Sequence, residues 1–224
     1  MRVFLPCRKG SERVPQKNVR PFGGEPHGLL GIKLTQLLLI HAIDEIVLSS
    51  NDEDVFRIAE HYSDKRIRVD HRPDALASSS TSTDALIEYV PSIIDSGDVL
   101  WTHVTSPFCD ASVYEACIHA YYERQKDGFD SLMSVTELRT FIWDESGPVN
   151  YNPEKEKWPR TQTLKPLYEV NSALFIAPIE TYRDRHDRIG ARPYLYTLGA
   201  RESFDVDWPE DFELAEKMWI HEKA

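Results

Sequence analysis

Apolar runs of strand length alternate with segments of helical periodicity from the first residues onward, and that alternation leaves few folds open. Residues 3–5 read as a buried strand, ended by Pro6, which has no N–H for a sheet ladder. Residues 29–43 set Leu30, Leu34, Leu37, Leu38 and Ala42 at helical spacing. Residues 45–50 read as a second strand. Asn51-Asp52-Glu53-Asp54 then caps a helix to about Tyr62, with Val55, Ile58 and Ala59 inward, and 67–69 is a short third strand. This spacing predicts an α/β fold: a three-layer, doubly wound, mostly parallel sheet of Rossmann type, covered on both faces. Further strands are expected at 98–104, the most β-rich and central, and at 131–135, 168–176 and 194–198. Further helices are expected at 84–90, N-capped by Ser82 or Thr83, and at 112–126, with Val113, Ala116, Cys117, Ala120 and Tyr121 inward. A last helix is opened by Pro209, with Phe212, Ala215, Met218 and Trp219 as its apolar face. A chain of 224 residues fits one domain, 1–224, with a small insertion.

In such sheets ligands gather at the carboxyl ends of strands. The loop after the first strand lies at such an end and carries four cations, Arg8, Lys9, Arg13 and Lys17, around Gly10 and Ser11. The whole chain is acidic, with a formal net charge of -11, so this cluster stands against its background. Backbone N–H groups at Gly10 and the surrounding cations suit a polyphosphate, although no Gly-Lys-Ser/Thr occurs at P-loop spacing. The alternative is a merely solvated loop. The acidic balance argues against a nucleic-acid partner, and no apolar run reaches membrane-span length. The chain runs straight into its first strand without a signal peptide. Its three cysteines, Cys7, Cys109 and Cys117, form no Cys-x-x-Cys pair. Both features point to a reducing, cytoplasmic setting.

A second constellation lies near the C-terminus, where Asp205 and Asp207 alternate with Val206. In a strand both carboxylates would share a face, about 7 Å apart, a placement that suits Mg²⁺. The competing reading makes Asp207 the N-cap of the helix at Pro209 and leaves Asp205 solvated. His103, at the end of the central strand, is either a substrate contact or a half-buried histidine bonded to backbone, and it is the side chain there that changes charge near neutral pH. Asn171 either bonds a ligand or satisfies backbone at a bulge. Residues 141–166 break the pattern with a hairpin around Ser146-Gly147, whose Trp143, Tyr151 and Trp158 are costly to leave in water. It folds over its own sheet or meets a second subunit. The charge-dense residues 183–192 are expected to be solvated.

Leu5-Pro6-Cys7-Arg8-Lys9-Gly10-Ser11-Glu12-Arg13-Val14-Pro15-Gln16-Lys17-Asn18 resembles the signature of the acylneuraminate cytidylyltransferases, with Cys7 in place of Ala and Glu12 in place of Lys. Pseudaminate, legionaminate and Kdo synthetases are relatives of that family. Other stretches carry the likeness along the chain. Arg72-Pro73-Asp74-Ala75-Leu76-Ala77 resembles an Arg-Pro-x-x-Leu-Ala stretch. His103-Val104-Thr105-Ser106-Pro107 stands at Gln-Pro-Thr-Ser-Pro, and Asn171-Ser172-Ala173 at Asn-Gly-Ala. Asp205-Val206-Asp207 followed by Asp211-Phe-Glu-Leu-Ala-Glu216 completes it.

The resemblance implies a nucleotidyltransferase that couples CTP to a nine-carbon 2-keto sugar acid, giving a CMP-sugar and pyrophosphate. It implies Mg²⁺ on Asp205 and Asp207, and catalytic roles for Arg8, Lys17 and Asp207. Arg8, Gly10, Ser11, Arg13, Lys17, Asn18, Arg72 and Ser82 would serve the nucleotide. His103, Thr105, Ser106, Arg160, Gln162 and Asn171 would serve the acid. Residues 141–166 would make a homodimer and help complete the partner's sugar site. Other acceptors (Kdo, pseudaminate, legionaminate or a phosphonate), a metal-dependent glycosyltransferase and a non-catalytic nucleotide-binding relative are the alternatives.

Overall fold

The computed structural model describes residues 1–223. Alternation along the strands sets the two faces of the sheet. In β1 (Arg2–Pro6) Val3 and Leu5 enter one core and Phe4 the other. Helix α1 (Gly28–Leu38) follows and stops five residues short of its expected end, the chain turning through 39–43. Next come β2 (Glu45–Ser50), α2 (Glu53–Tyr62), whose N-cap Asp52 accepts the Asp54 N–H, and β3 (Ile67–His71). Helix α3 (Thr83–Ile93) is N-capped by Ser82, which accepts the Ala85 N–H at 3.1 Å. Strand β4 (Asp98–Thr102) and α4 (Ala111–Gln125) complete the first half. The buried face of α4 is Tyr114, Cys117, Ile118 and Tyr121, one step round from the expected stripe.

The second half runs through β5 (Ser131–Leu138), the short hairpin β6 (Trp143–Asp144) and β7 (Gly147–Pro148), and the long β8 (Leu167–Pro178). It ends with α5 (Ile179–Arg185), β9 (Pro193–Thr197) and α6 (Pro209–Lys223).

Among the described residues seven strands make one sheet, ordered β3-β2-β1-β4-β8-β5-β9. The pairs β1–β2, β1–β4, β2–β3 and β5–β9 are parallel, and β8 runs antiparallel between β4 and β5. The fold is therefore α/β and mostly parallel, with β4 at its centre. One core joins Val3, Leu5, Ile46, Leu48 and Leu100 to α1, α2, α4 and α6; the other joins Phe4, Val47, Trp101 and Phe175 to α3 and α5. The segment 183–192 is less solvated than its charge suggests: Arg188 lies over the Phe175 ring at 3.7 Å.

Hairpin β6–β7 stands off the main sheet. Asn150 is buried and pins its base, accepting the Ile142 N–H at 3.1 Å and donating to the Thr140 carbonyl at 2.9 Å. Phe141, Tyr151 and Trp158 pack edge to face or tilted, yet Trp143 is 57% and Trp158 69% exposed. Among the described residues no helix is long and apolar enough to cross a membrane.

Candidate active site

A cavity of about 670 Å³ opens at the carboxyl ends of β1 and β4, where the winding of the sheet predicts a ligand. Arg8, Ser11, Glu12, Arg13, Lys17 and Asn18 reach it from the loop after β1; His103, Val104 and Thr105 come from the end of β4. Ser172 of β8 and the pair Asp205 and Asp207 close it.

The loop is folded on itself by its own hydrogen bonds. Gly10 takes φ +75°, a conformation glycine adopts without penalty. Arg8 donates to the Gly10 carbonyl at 3.0 Å, and Asn18 donates to the Arg8 carbonyl at 3.2 Å. Asn51 at the end of β2 accepts the Lys9 N–H at 3.0 Å. The far side is clamped to the C-terminal constellation. Lys17, nearly buried, donates to the Val206 carbonyl at 2.7 Å and to the Asp207 carboxylate at 3.3 Å. Arg13 meets the same carboxylate through both terminal nitrogens, at 3.1 and 3.3 Å, and lies over the Trp208 ring.

Residues 205–207 belong to no strand; the Val206 N–H bonds the Thr105 carbonyl at 2.8 Å. Val206 is fully buried, so its neighbours both turn to the cavity. Asp207 is not the helix cap. Asp211, in the first turn of α6, turns back to accept the Asp207 and Trp208 N–H groups at 3.1 and 2.8 Å, and the Asp207 carboxylate meets the cations. Burial raises the Asp205 pKa, the charge of Asp207 adds to the rise, and the Thr105 hydroxyl opposes it.

His103 accepts the indole N–H of Trp101 on Nε2 at 3.0 Å. That bond fixes the neutral tautomer with its proton on Nδ1. Burial first, then the positive charges of Arg188 and Lys17, push its pKa down to about 3. The sequence expectation of a charge change near neutral pH is therefore corrected: His103 offers the site a hydrogen-bond donor, not a titrating group.

A family model described as Cytidylyltransferase matches residues 3–224. The chain belongs to the cytidylyltransferase family. It is 26% identical to a pseudaminic acid cytidylyltransferase of Campylobacter jejuni over 235 residues, covering 99% of this chain and 97% of that protein. It is 28% identical to an N-acylneuraminate cytidylyltransferase of Streptococcus agalactiae, covering 93% of this chain and 51% of that longer protein. In fold it is similar to a CMP:2-keto-3-deoxy-manno-octonic acid synthetase solved with CTP, at TM-score 0.68 and 13% identity over 98% of each chain. This cytidylyltransferase is accordingly a nucleotidyltransferase enzyme, and the glycosyltransferase alternative is set aside.

Several residues expected at the site stand elsewhere. Arg72 is buried and donates to the Ser49 hydroxyl at 3.0 Å and to the Ser49 carbonyl, bracing the end of β2 rather than lining the cavity. Ser82 is occupied as the α3 cap, and Ser79 and Thr83 line the wall in its stead. The Ser106 side chain is buried, and Gly10 shapes the loop without lining the cavity. Arg160 is exposed beside the short turn Thr161–Thr163, and Gln162 lines a separate cavity of about 410 Å³ with Glu137 and Arg139. Asn171 is spent on a bulge: Oδ1 accepts from the Ser134 hydroxyl at 2.6 Å, and Nδ2 donates to the Thr136 hydroxyl at 3.1 Å.

Lys33 went unnoticed in the sequence. It is fully buried and donates to the Ser106 and Cys109 carbonyls and to the Tyr114 hydroxyl, all at 2.8–2.9 Å. It thereby fixes the loop that carries Thr105. A lysine inside the apolar run Leu29-Leu30-Gly31-Ile32-Lys33-Leu34 was the available signal.

Among the described residues no three His, Cys, Asp or Glu side chains gather around a metal position. The donor set nonetheless fits Mg²⁺. That ion is commonly held by one or two carboxylates, with waters and phosphate oxygens completing the shell. Asp205 and Asp207 supply hard oxygens on the wall that the phosphate-type cations also line, and an ion on Asp207 would take the place of its bonds to Arg13 and Lys17.

Proposed function

We propose that this cytidylyltransferase couples CTP to a 2-keto sugar acid of the sialic type and releases pyrophosphate. One observation carries the reading: the cations of residues 8–18 and the carboxylates of Asp205 and Asp207 line a single cavity at the carboxyl ends of β1 and β4. The names of the relatives supply the acceptor class, since they act on pseudaminic acid and N-acylneuraminate.

In this reading the anomeric hydroxyl of the acid attacks the α-phosphate, the bond to the β-phosphate breaks, and the hydroxyl proton passes to a carboxylate of the Asp205–Asp207 pair or to water. Catalysis then consists of position and charge. Arg8 and Lys17 neutralise the triphosphate and the departing pyrophosphate. Gly10, Ser11, Arg13 and Asn18 hold the loop around it. Asp205 and Asp207 would hold Mg²⁺, which when bound supplies positive charge to the phosphates. His103 presents its Nδ1–H, and Thr105 its hydroxyl, at the acceptor end. His103 acts as a donor because a group titrating at about 3 is too weak a base at neutral pH.

A homodimer formed through residues 141–166 belongs to the same proposal. Trp143, Val149, Trp158, Tyr168 and Val170 leave apolar area in water on that arm and on the adjoining start of β8. A cytoplasmic setting is supported by the three cysteines, which are free and buried.

The test is to incubate the protein with CTP labelled at the α-phosphate and a panel of neuraminate, legionaminate, pseudaminate and Kdo. A labelled CMP conjugate with one of them is the expected product. No conjugate with any acid, from a protein that binds CTP, would contradict the proposal.

A further inference from the structure

The wall of the cavity contains one residue in a conformation its side chain disfavours. Ser172 has φ 58°, in the left-handed region that favours glycine. It lies in an unusually large bulge. Met133 pairs with Phe175 and Val135 with Val170, so the single residue Ser134 of β5 faces residues 171–174 of β8.

The polar side chains around the bulge are engaged with one another and with its backbone. Asn171 bonds Ser134 and Thr136 and accepts the Ala173 N–H at 3.3 Å. The Leu174 N–H donates to the Ser134 hydroxyl at 3.0 Å, and the Ala173 carbonyl accepts from Thr102 at 2.7 Å. Among the bulge side chains the Ser172 hydroxyl makes no hydrogen bond to the described residues, and Ser172 lines the cavity. Surroundings that fix a strained residue and leave its one polar group to a binding cavity mark a functional position.

Its place in the sheet says which ligand it meets. Thr102 pairs with Leu174 at the end of β4, and the residues just beyond it, His103 and Val104, line the cavity together with Ser172. Strand β8 is two strands from β1, about 10 Å from the cationic loop at the usual strand spacing. Ser172 therefore enters the cavity from a different strand than the loop that carries the cations, on the side of β4 that brings in His103, Val104 and Thr105.

We propose that Ser172 is a specificity-determining residue, whose hydroxyl bonds a polar ring substituent, a hydroxyl or acylamino group, of the acceptor acid. The proposal rests on the acceptor assignment made under Proposed function. A hydrogen bond of this kind distinguishes acids that differ in the position or hand of that substituent, while the nucleotide stays the same.

The experiment compares Ser172→Gly and Ser172→Ala with the wild type, using steady-state kinetics with CTP and two acids of different ring stereochemistry. Glycine removes the hydroxyl and relieves the backbone; alanine removes the hydroxyl and keeps the left-handed strain. Both variants are expected to lose about 3- to 10-fold in kcat/KM for the preferred acid, to keep the KM for CTP, and to narrow the ratio between the two acids. A Gly variant that matches the wild type while the Ala variant fails would make the residue a backbone device and overturn the proposal. Equal loss with both acids would overturn it as well. An inactive wild type with every acid would instead bring down the acceptor assignment itself, and this inference with it.

Discussion

Lys17 donates to the backbone carbonyl of Val206 across 189 residues of sequence, at 2.7 Å. The same ammonium lies 3.3 Å from the Asp207 carboxylate, so one side chain ties the phosphate-type loop to the carboxylate pair. Replacing it severs the clamp and removes a charge from the triphosphate end together. Lys17→Met is expected to lower kcat/KM for CTP on the order of 10²-fold. Initial rates over a range of CTP concentrations check this, and a change under threefold would contradict the role.

His103 gives a pH prediction with a definite sign. Its pKa falls from the ordinary 6.5 to about 3 in the folded chain. Below 6.5 the unfolded chain binds a proton that the folded chain refuses. The contribution to stability is therefore whole above 6.5 and is lost as pH falls towards 3. Urea titrations at pH 7 and 4.5 should show a smaller acid loss in His103→Gln than in the wild type. The kcat/KM profile between pH 6 and 8 should keep its shape in that variant, since the imidazole does not titrate there. A limb of the profile that vanishes with the histidine would show that it does.

Lys33 is pulled down from 10.5 to about 8 by burial, against the opposing charges near Cys109 and Asp110. Between those values the unfolded chain holds more protons, so this group makes stability rise with pH over that window. Lys33→Met removes the rise and strands the Cys109 carbonyl, while the Ser106 carbonyl keeps the Cys109 N–H and the Tyr114 hydroxyl keeps Thr102, at a cost of about 2 kcal/mol. Chemical unfolding of both chains at pH 7.5 and 10 measures the slope and the offset. Equal slopes would mean that Lys33 is not the titrating group.

The arm at 141–166 carries the association claim. Trp143→Glu with Trp158→Glu places two charges on exposed apolar surface and leaves Asn150 to hold the hairpin base. Sedimentation at micromolar concentration is expected to show a dimer for the wild type and a monomer for the double variant. A monomeric wild type would remove the dimer from the account.

The strands and the cationic loop were legible because they depend on local pattern: apolar runs, a glycine among cations, a proline at a strand end. The alternation of Asp205 and Asp207 about Val206 was legible for the same reason, and it survives outside a sheet because burying Val206 enforces it. Long-range pairing hid the rest. Nothing local says that β8 enters antiparallel between β4 and β5, and with it comes the bulge that absorbs Asn171 and sets Ser172 on the cavity wall. Arg72 reads as a ligand cation in a motif, yet its neighbour in space is Ser49, whose carbonyl and hydroxyl take its donors. Arg188 reads as solvated until Phe175 and Trp101 are seen beneath it.

The most direct test of the central claim is the rate of pyrophosphate release from CTP, Mg²⁺ and the panel of 2-keto sugar acids, in the wild type and in Asp207→Asn. The account predicts release with one acid, dependence on the divalent ion, and a loss on the order of 10²-fold or more in the variant. An Asp207→Asn enzyme that releases pyrophosphate at the wild-type rate would contradict it.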